Sequence, residues 1–441
     1  MKFILFKKSH FGLLVLTLVP IFSLKAQSIT KTLGLEEAVQ VAIQNNKQVI
    51  IAQTDASIAK SQFNQTDAIW LPQINLSHTA YSTNNPLNVF GFKLQQAGVQ
   101  QADFNPALLN NPSAYSNYAT QFAVQQPIVN MDAVYMRKAA KMQIGVYEAQ
   151  AERTAEAIKM QVVQAYLMLE FSYQYEKVAK EGLSTIQAIY KFTKDRFSQG
   201  MMQKSDLLNV EVQVKAALLQ NSQAKSQIEN VSDQLSLLMG TEKGVVYTTT
   251  AYQLSVQKDA SGATISNRSD IRALNAALKS YDLAIKSTKL SWAPKLNGFA
   301  NYNINDKSMT IDGAKSYIAG VQFSWDIFKG NQVKNKTKTQ SLEKLKVQEQ
   351  LNSQIEQASS EINKTNRAII DANNKIEQGQ IAVQQAQESL RIIQNRYEQG
   401  LVSTNDVLLA QNQLSQQKLL LAQAEFEKKS NINYLDFLTT K

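Results

Sequence analysis

The chain has 441 residues, a formal net charge of +10 and no cysteine, which excludes disulfides, thiolate metal sites and lipid attachment through an N-terminal Cys. Removing residues 1–26 takes away Lys2, Lys7, Lys8 and Lys25 and no acid, so the charge falls from +10 to +6. That is too mild for a nucleic-acid partner, since Lys and Arg are interspersed with Glu and Asp as on solvated helix faces.

Taken in chain order, residues 1–26 read as a secretory signal peptide: the three early lysines, an apolar run from Phe11 to Leu24, and a small residue at Ala26. Mature chain is expected from about Gln27. No later stretch reaches the roughly 18 apolar residues that a membrane helix needs, so any membrane crossing must be made by strands.

Beyond the signal, periodicity predicts helices over Leu35–Ile69, Met131–Lys194, Ser205–Met239, Arg268–Ser291, Asn331–Arg396 and Thr404–Phe437. Proline costs about 3 kcal/mol inside a helix, and none occurs between Ile128 and Ala293 or after Pro294. A heptad seam runs unbroken from Ile355 through Ala358, Thr365, Ala372, Gly379, Ala386 and Leu390 to Tyr397. A second runs from Leu207 through Val210, Ala217, Ala224 and Val231 to Leu238, and a third includes Ala155, Ile158, Val162, Ala165 and Leu169. Their small residues let helix axes approach closely. At about 1.5 Å per residue the two longest helices span roughly 100 Å each, which no ordinary globular core accommodates.

Four segments of about ten residues alternate with period two, starting near Gln73, Asn117, Lys295 and Tyr317. The clearest sets Tyr317, Ala319, Val321, Phe323, Trp325 and Ile327 against Ile318, Gly320, Gln322, Ser324 and Asp326. Ten alternating residues match a tilted strand of an outer-membrane barrel.

The halves are duplicated. Trp70-Leu71-Pro72 corresponds to Trp292-Ala293-Pro294, and Arg196-Phe197-Ser198-Gln199-Gly200 to Arg396-Tyr397-Glu398-Gln399-Gly400; Asp206 and Leu208 correspond to Asp406 and Leu408. The expected organisation is a first repeat over 27–239, a Gly- and Ser-containing connecting segment over 240–267, a second repeat over 268–438 and a tail of 439–441. Each repeat reads helix, strand, strand, long helix, turn, helix. The first hairpin is longer, with residues 84–117 rich in Asn and Pro and read as an extended loop.

Four strands cannot close a barrel, and open strand edges in lipid leave backbone groups without partners. Copies must therefore share one. Two copies give eight strands, whose interior side chains largely fill, whereas three give twelve and leave a lumen. The fold class expected is mainly α, a long coiled-coil barrel plus a four-strand contribution to a shared transmembrane β-barrel.

The duplicated plan, the paired Trp-x-Pro junctions and the paired Arg-aromatic-x-x-Gly turns resemble the TolC family of outer-membrane efflux proteins across nearly the whole mature chain. The resemblance implies a homotrimer in outer-membrane lipid. Its helical end would project into the periplasm and dock on a periplasmic adaptor and an inner-membrane transporter, exporting small molecules or proteins. It places adaptor docking at Arg196, Gly200, Met201, Arg396, Gly400 and Leu401, positions whose glycines and arginines also suit simple helix ends. It places a periplasmic constriction at Asp206, Tyr397 and Asp406. Asp406 matches a family entrance aspartate, while Leu409 stands where some members have a second one. Both aspartates also sit where helix capping favours them. Tyr397 reads either as an inter-tip hydrogen bond to Asp206 or as seam packing, and Trp70 and Trp292 as interfacial belt or junction packing. The competing class is a periplasmic coiled-coil stalk without a pore. No catalyst, cofactor or metal site is expected: the mature chain has one histidine, His78, in a strand, and no phosphate loop or nucleophile elbow.

Overall fold

The computed structural model describes residues 29–250 and 265–439; the expected signal peptide, half of the connecting segment and the last two residues lie outside the described residues. Chain order is β1 (Ile29–Leu33), α1 (Leu35–Asn45), α2 (Lys47–Gln65), β2 (Gln73–Thr83), α3 (Pro86–Gln95), α4 (Pro106–Asn110), β3 (Tyr115–Val129), α5 (Met131–Ser198), α6 (Lys204–Met239), β4 (Val245–Thr249), α7 (Ser269–Leu290), β5 (Lys295–Asp306), β6 (Ala314–Ser324), α8 (Gln332–Glu398) and α9 (Thr404–Thr439). The duplication is plain in the lengths: α5 and α6 have 68 and 36 residues, α8 and α9 have 67 and 36.

The long helices form a one-layer wall. Near the sheet the order is α2, α5, α7, α8, and toward the far end it is α6, α5, α9, α8. The predicted seams are the buried lines between neighbours, with Ala358, Ala372, Ala386 and Leu390 on α8 and Val210, Ala217, Ala224 and Val231 on α6 all under 10% exposed. Gly379 lets α9 come close, its missing Cβ lying 3.3 Å from the Leu421 Cδ1.

Strands β2, β3, β5 and β6 form one antiparallel sheet in that order, with β2 and β6 as open edges. Residues directly opposite share a face, so Leu76, Phe122, Tyr302 and Tyr317 make one apolar row. On the other face Ser77, Gln121, Asn303 and Ser316 make a polar row. The alternation expected through Ile327 ends at Ser324. Its partner Lys295 follows Pro294, which has no N–H to continue the ladder, and Trp325 instead donates from Nε1 to the Trp292 carbonyl at 2.9 Å.

Three further features differ from the sequence expectation. The first helix breaks at Asn46, whose backbone is extended while its Oδ1 accepts from the Gln48 N–H at 2.9 Å and its Nδ2 donates to the Leu238 carbonyl at 2.8 Å. A side chain that caps a new helix and ties it to α6 competes successfully with helix continuity. Within the connecting segment, Val245–Thr249 forms a strand parallel to β1. Tyr166 seals this pair onto α5, its hydroxyl lying 3.0 Å from both the Leu33 and Thr250 carbonyl oxygens, over a core of Leu33, Val162, Leu235 and Tyr247. Finally, residues 84–114 are folded, with α3 and α4 inside what reads as an extended loop.

Candidate functional site

Two helical turns close the far end of the wall. At the first, Gly200 has φ +74°, its N–H donates to the Phe197 carbonyl at 3.0 Å, and the Met201 N–H donates to the Arg196 carbonyl at 2.9 Å. At the second, Gly400 has φ +76°, with the same pair of bonds to Tyr397 and Arg396, each 2.9 Å. These are Schellman ends, in which a left-handed residue turns the chain and satisfies the last carbonyls. Only glycine takes that conformation without a Cβ clash.

The two turns are joined. Arg196 stacks over the Phe192 ring, donates from Nη2 to the Glu398 carbonyl at 2.6 Å, and lies against Gly400. Its cation therefore sits at the negative end of both the α5 and α8 dipoles. Beneath it a small apolar core of Ile189, Val210, Leu390, Val407 and Leu414 holds the tips together. Tyr397 belongs to this core at 3% exposure, its hydroxyl 2.8 Å from the Thr193 hydroxyl and 3.1 Å from that of Thr404. Within the chain it makes seam packing and these two bonds, and the bond to Asp206 is not formed, because Thr193 and Thr404 occupy the hydroxyl. Met201 and Leu401 stand out from the turns, both more than 60% exposed.

The two aspartates differ although the sequence pairs them. Ser403 and Asp406 form a reciprocal cap: the Ser403 N–H and Oγ donate to the Asp406 carboxylate at 2.9 and 2.7 Å, and the Asp406 N–H lies 3.3 Å from the Ser403 Oγ. The Ser403 hydroxyl, then its N–H, hold this carboxyl below its ordinary value of 3.8. At the first turn Gln203 replaces the serine and makes no side-chain cap. Asp206 is thus half-buried without that local use. Ser-x-x-Asp is a capping signature that the sequence carries, and it separates the two residues.

At the opposite end, Trp70, Trp292 and Trp325 are each about half exposed where the helices pass into the sheet. Trp325, which the sequence pattern marks only as a strand residue, completes the group. His78 lies on the apolar face of the sheet with Nδ1 2.8 Å from the Thr120 hydroxyl across the strand pair, a satisfied structural position. The broad trough of about 1,010 Å³ between α2, α5, α7 and α8 is lined by amides such as Gln48, Gln143, Gln150 and Gln354. Among the described residues no cluster of His, Asp and Glu is arranged to hold a metal, and no helix is long and apolar enough to cross a membrane.

The fold as a whole resembles that of known proteins. The outer membrane channel CmeC of Campylobacter jejuni superposes with a TM-score of 0.78 at 18% identity, covering 92% of this chain and 85% of that one. The outer membrane protein VceC of Vibrio cholerae gives 0.74 at 17%, covering 92% and 95%. The outer membrane channel MtrE of Neisseria gonorrhoeae, in its open state, gives 0.74 at 15%, covering 92% and 88%. At such identities the likeness carries the fold. No curated protein matches in sequence. The sequence profile of outer membrane efflux proteins, a family of channels rather than enzymes, matches residues 38–241 and 261–440; nothing in this supports the poreless stalk. The chain therefore belongs to the outer membrane efflux protein family, and it is an efflux channel of the outer membrane.

Proposed function

We propose that three copies join edge to edge into a continuous tunnel whose helical end docks on a periplasmic adaptor and, through it, an inner-membrane transporter. The observation that carries this is the disposition of the open edges. Strand β2 and helices α2 and α6 lie along one side of the chain, and β6 and α8 along the other. The α8 edge exposes Ile370, Ile381 and Ile392, spaced by eleven residues and so close to one line on a helix. The opposite edge exposes Ile51 and Ile58 on α2 and Val212 and Leu219 on α6, each pair spaced by seven. An edge that meets a different edge of the next copy makes a heterologous contact, which gives a ring when its rotation closes, as a barrel in lipid requires. Three copies of the four-stranded sheet supply twelve strands with a lumen, whereas two would supply a filled barrel of eight.

In such a ring the apolar face turns to lipid and the amide-rich face to water. A wide, hydrated bore discriminates weakly among solutes, so cargo choice falls to the inner-membrane partner. The tips supply the docking surface through Arg196, Gly200, Met201, Arg396, Gly400 and Leu401. Of the residues expected at the constriction, Asp206 carries the available carboxylate, Asp406 serves its helix cap, and Tyr397 holds the tip core. Three Asp206 carboxylates in a narrow opening favour cations.

The test is ion current through the purified protein in a planar bilayer. Cation preference should fall in Asp206→Asn and persist in Asp406→Asn. Equal selectivity in all three proteins contradicts the assignment, and no current from the assembled protein contradicts the tunnel.

A further inference from the structure

The segment between β2 and β3 is a folded insert. The chain leaves Thr83 and forms α3, capped by Asn85, whose Oδ1 accepts from the Asn88 N–H at 3.2 Å. It then forms α4, capped by Asn105, whose Oδ1 accepts from the Ala107 N–H at 2.9 Å. Each cap is followed by a proline at the first helical position, where its missing N–H costs nothing. The insert is braced internally by Lys93 and Asp103 at 2.6 Å, by Asp103 accepting the Gln100 N–H at 2.7 Å, and by an edge contact of Phe90 with Phe104.

Its position relative to the sheet is specific. Phe92 packs on Tyr81 with centroids 5.6 Å apart. The Gln96 Nε2 lies 2.9 to 3.1 Å from three acceptors, the Asn117 side chain and the Ser116 and Asp306 carbonyls, while its Oε1 accepts from the Tyr115 hydroxyl at 2.7 Å. Ala97, directly after it, is held at φ +50°, a left-handed conformation that an alanine keeps only where its surroundings enforce it. By strand register Tyr81, Tyr115, Asn117 and Asn305 all lie on the polar face. Asn117 and Asn305, bonded to each other at 3.0 Å, are 1% and 6% exposed. The insert therefore buries the outer end of the face that the ring turns inward.

On α3, Val89, Phe92 and Gln96 form the docked side by their helical spacing, and Leu87 and Leu94 fall opposite. Those two leucines are 80% and 56% exposed. A side opposite the inner face of a barrel wall points to the bore axis. Twelve strands about 4.8 Å apart and tilted about 40° close at a backbone radius on the order of 12 Å. A helix with its side chains is about 10 Å thick, so three inserts fill that opening.

Resting on the trimeric ring read above, we propose that residues 84–114 form a plug at the outer mouth, latched to the bore wall by Gln96 and closed by Leu87 and Leu94 meeting their counterparts from the other two copies. The constriction lies at the end of the tunnel opposite the periplasmic tips. It is built by the part of the first hairpin that the second, with only residues 307–313 between its strands, lacks.

The chain has no cysteine, so single cysteines report cleanly. Asn301→Cys lies on the bore face below the plug, paired with Ile318. On intact cells a small maleimide should label it, whereas a bulky polyethylene-glycol maleimide should not. Bulky labelling should go to completion when residues 86–113 are replaced by a Gly-Ser linker, or in the gentler Leu87→Ser/Leu94→Ser protein. Leu94→Cys should give a disulfide-linked dimer on a non-reducing gel. Complete bulky labelling of Asn301→Cys with the plug intact, in protein that migrates as a trimer, overturns the plug alone. Protein that never forms trimers overturns the ring and the plug together.

Discussion

Gly200 and Gly400 show how a single backbone requirement fixes the working end of the chain. Each occupies the left-handed position of a Schellman turn, where a side chain costs roughly 1 kcal/mol, and Gly400 also receives the Arg196 guanidinium. Under the docking proposed above, substituting valine at either should leave trimers on a gel while abolishing efflux in a cell-based export assay, because the reshaped tip would no longer fit the adaptor; normal efflux would remove the docking role. These turns are legible in the sequence because the signal is local and occurs twice. The break at Asn46 is not, since its decisive partner is the Leu238 carbonyl on another helix. The difference between Asp206 and Asp406 stands between these cases. Ser403 against Gln203 is visible in the sequence, but the shared spacing masks it.

At the scale of elements, the seams were readable because small and large residues recur at heptad spacing over distances that chance does not sustain. The helical insert reads as a loop for a physical reason: Asn85-Pro86 and Asn105-Pro106 are helix starts, but Asn and Pro also mark turns, and short helices leave little periodicity. The parallel pairing of β1 with β4 joins residues more than two hundred positions apart, and five-residue strands carry no pattern that names a partner. The exposed line on α8 carries the next prediction. Ile381→Glu places a charge where the neighbouring copy is expected and leaves the packed seam of α8 against α9 untouched. It should lower the heat-dissociation temperature of the trimer without changing helix content by circular dichroism, and an unchanged transition would remove α8 from the contact between copies.

The molecule as a whole is organised by incompleteness. Its wall is one helix thick, both faces of its sheet are exposed except at the end that the insert covers, and each edge ends in unpaired backbone and apolar side chains. A sheet with one apolar and one amide-rich face becomes stable in lipid only when its edges are closed, and this chain closes neither by itself. The most direct test is to count strands around the barrel by electron cryomicroscopy of the protein in lipid nanodiscs. Three copies of the four-stranded sheet should appear as twelve strands around an axial lumen, with β6 of each copy beside β2 of the next. A barrel of another strand number, or a single chain with its sheet open, would contradict the account.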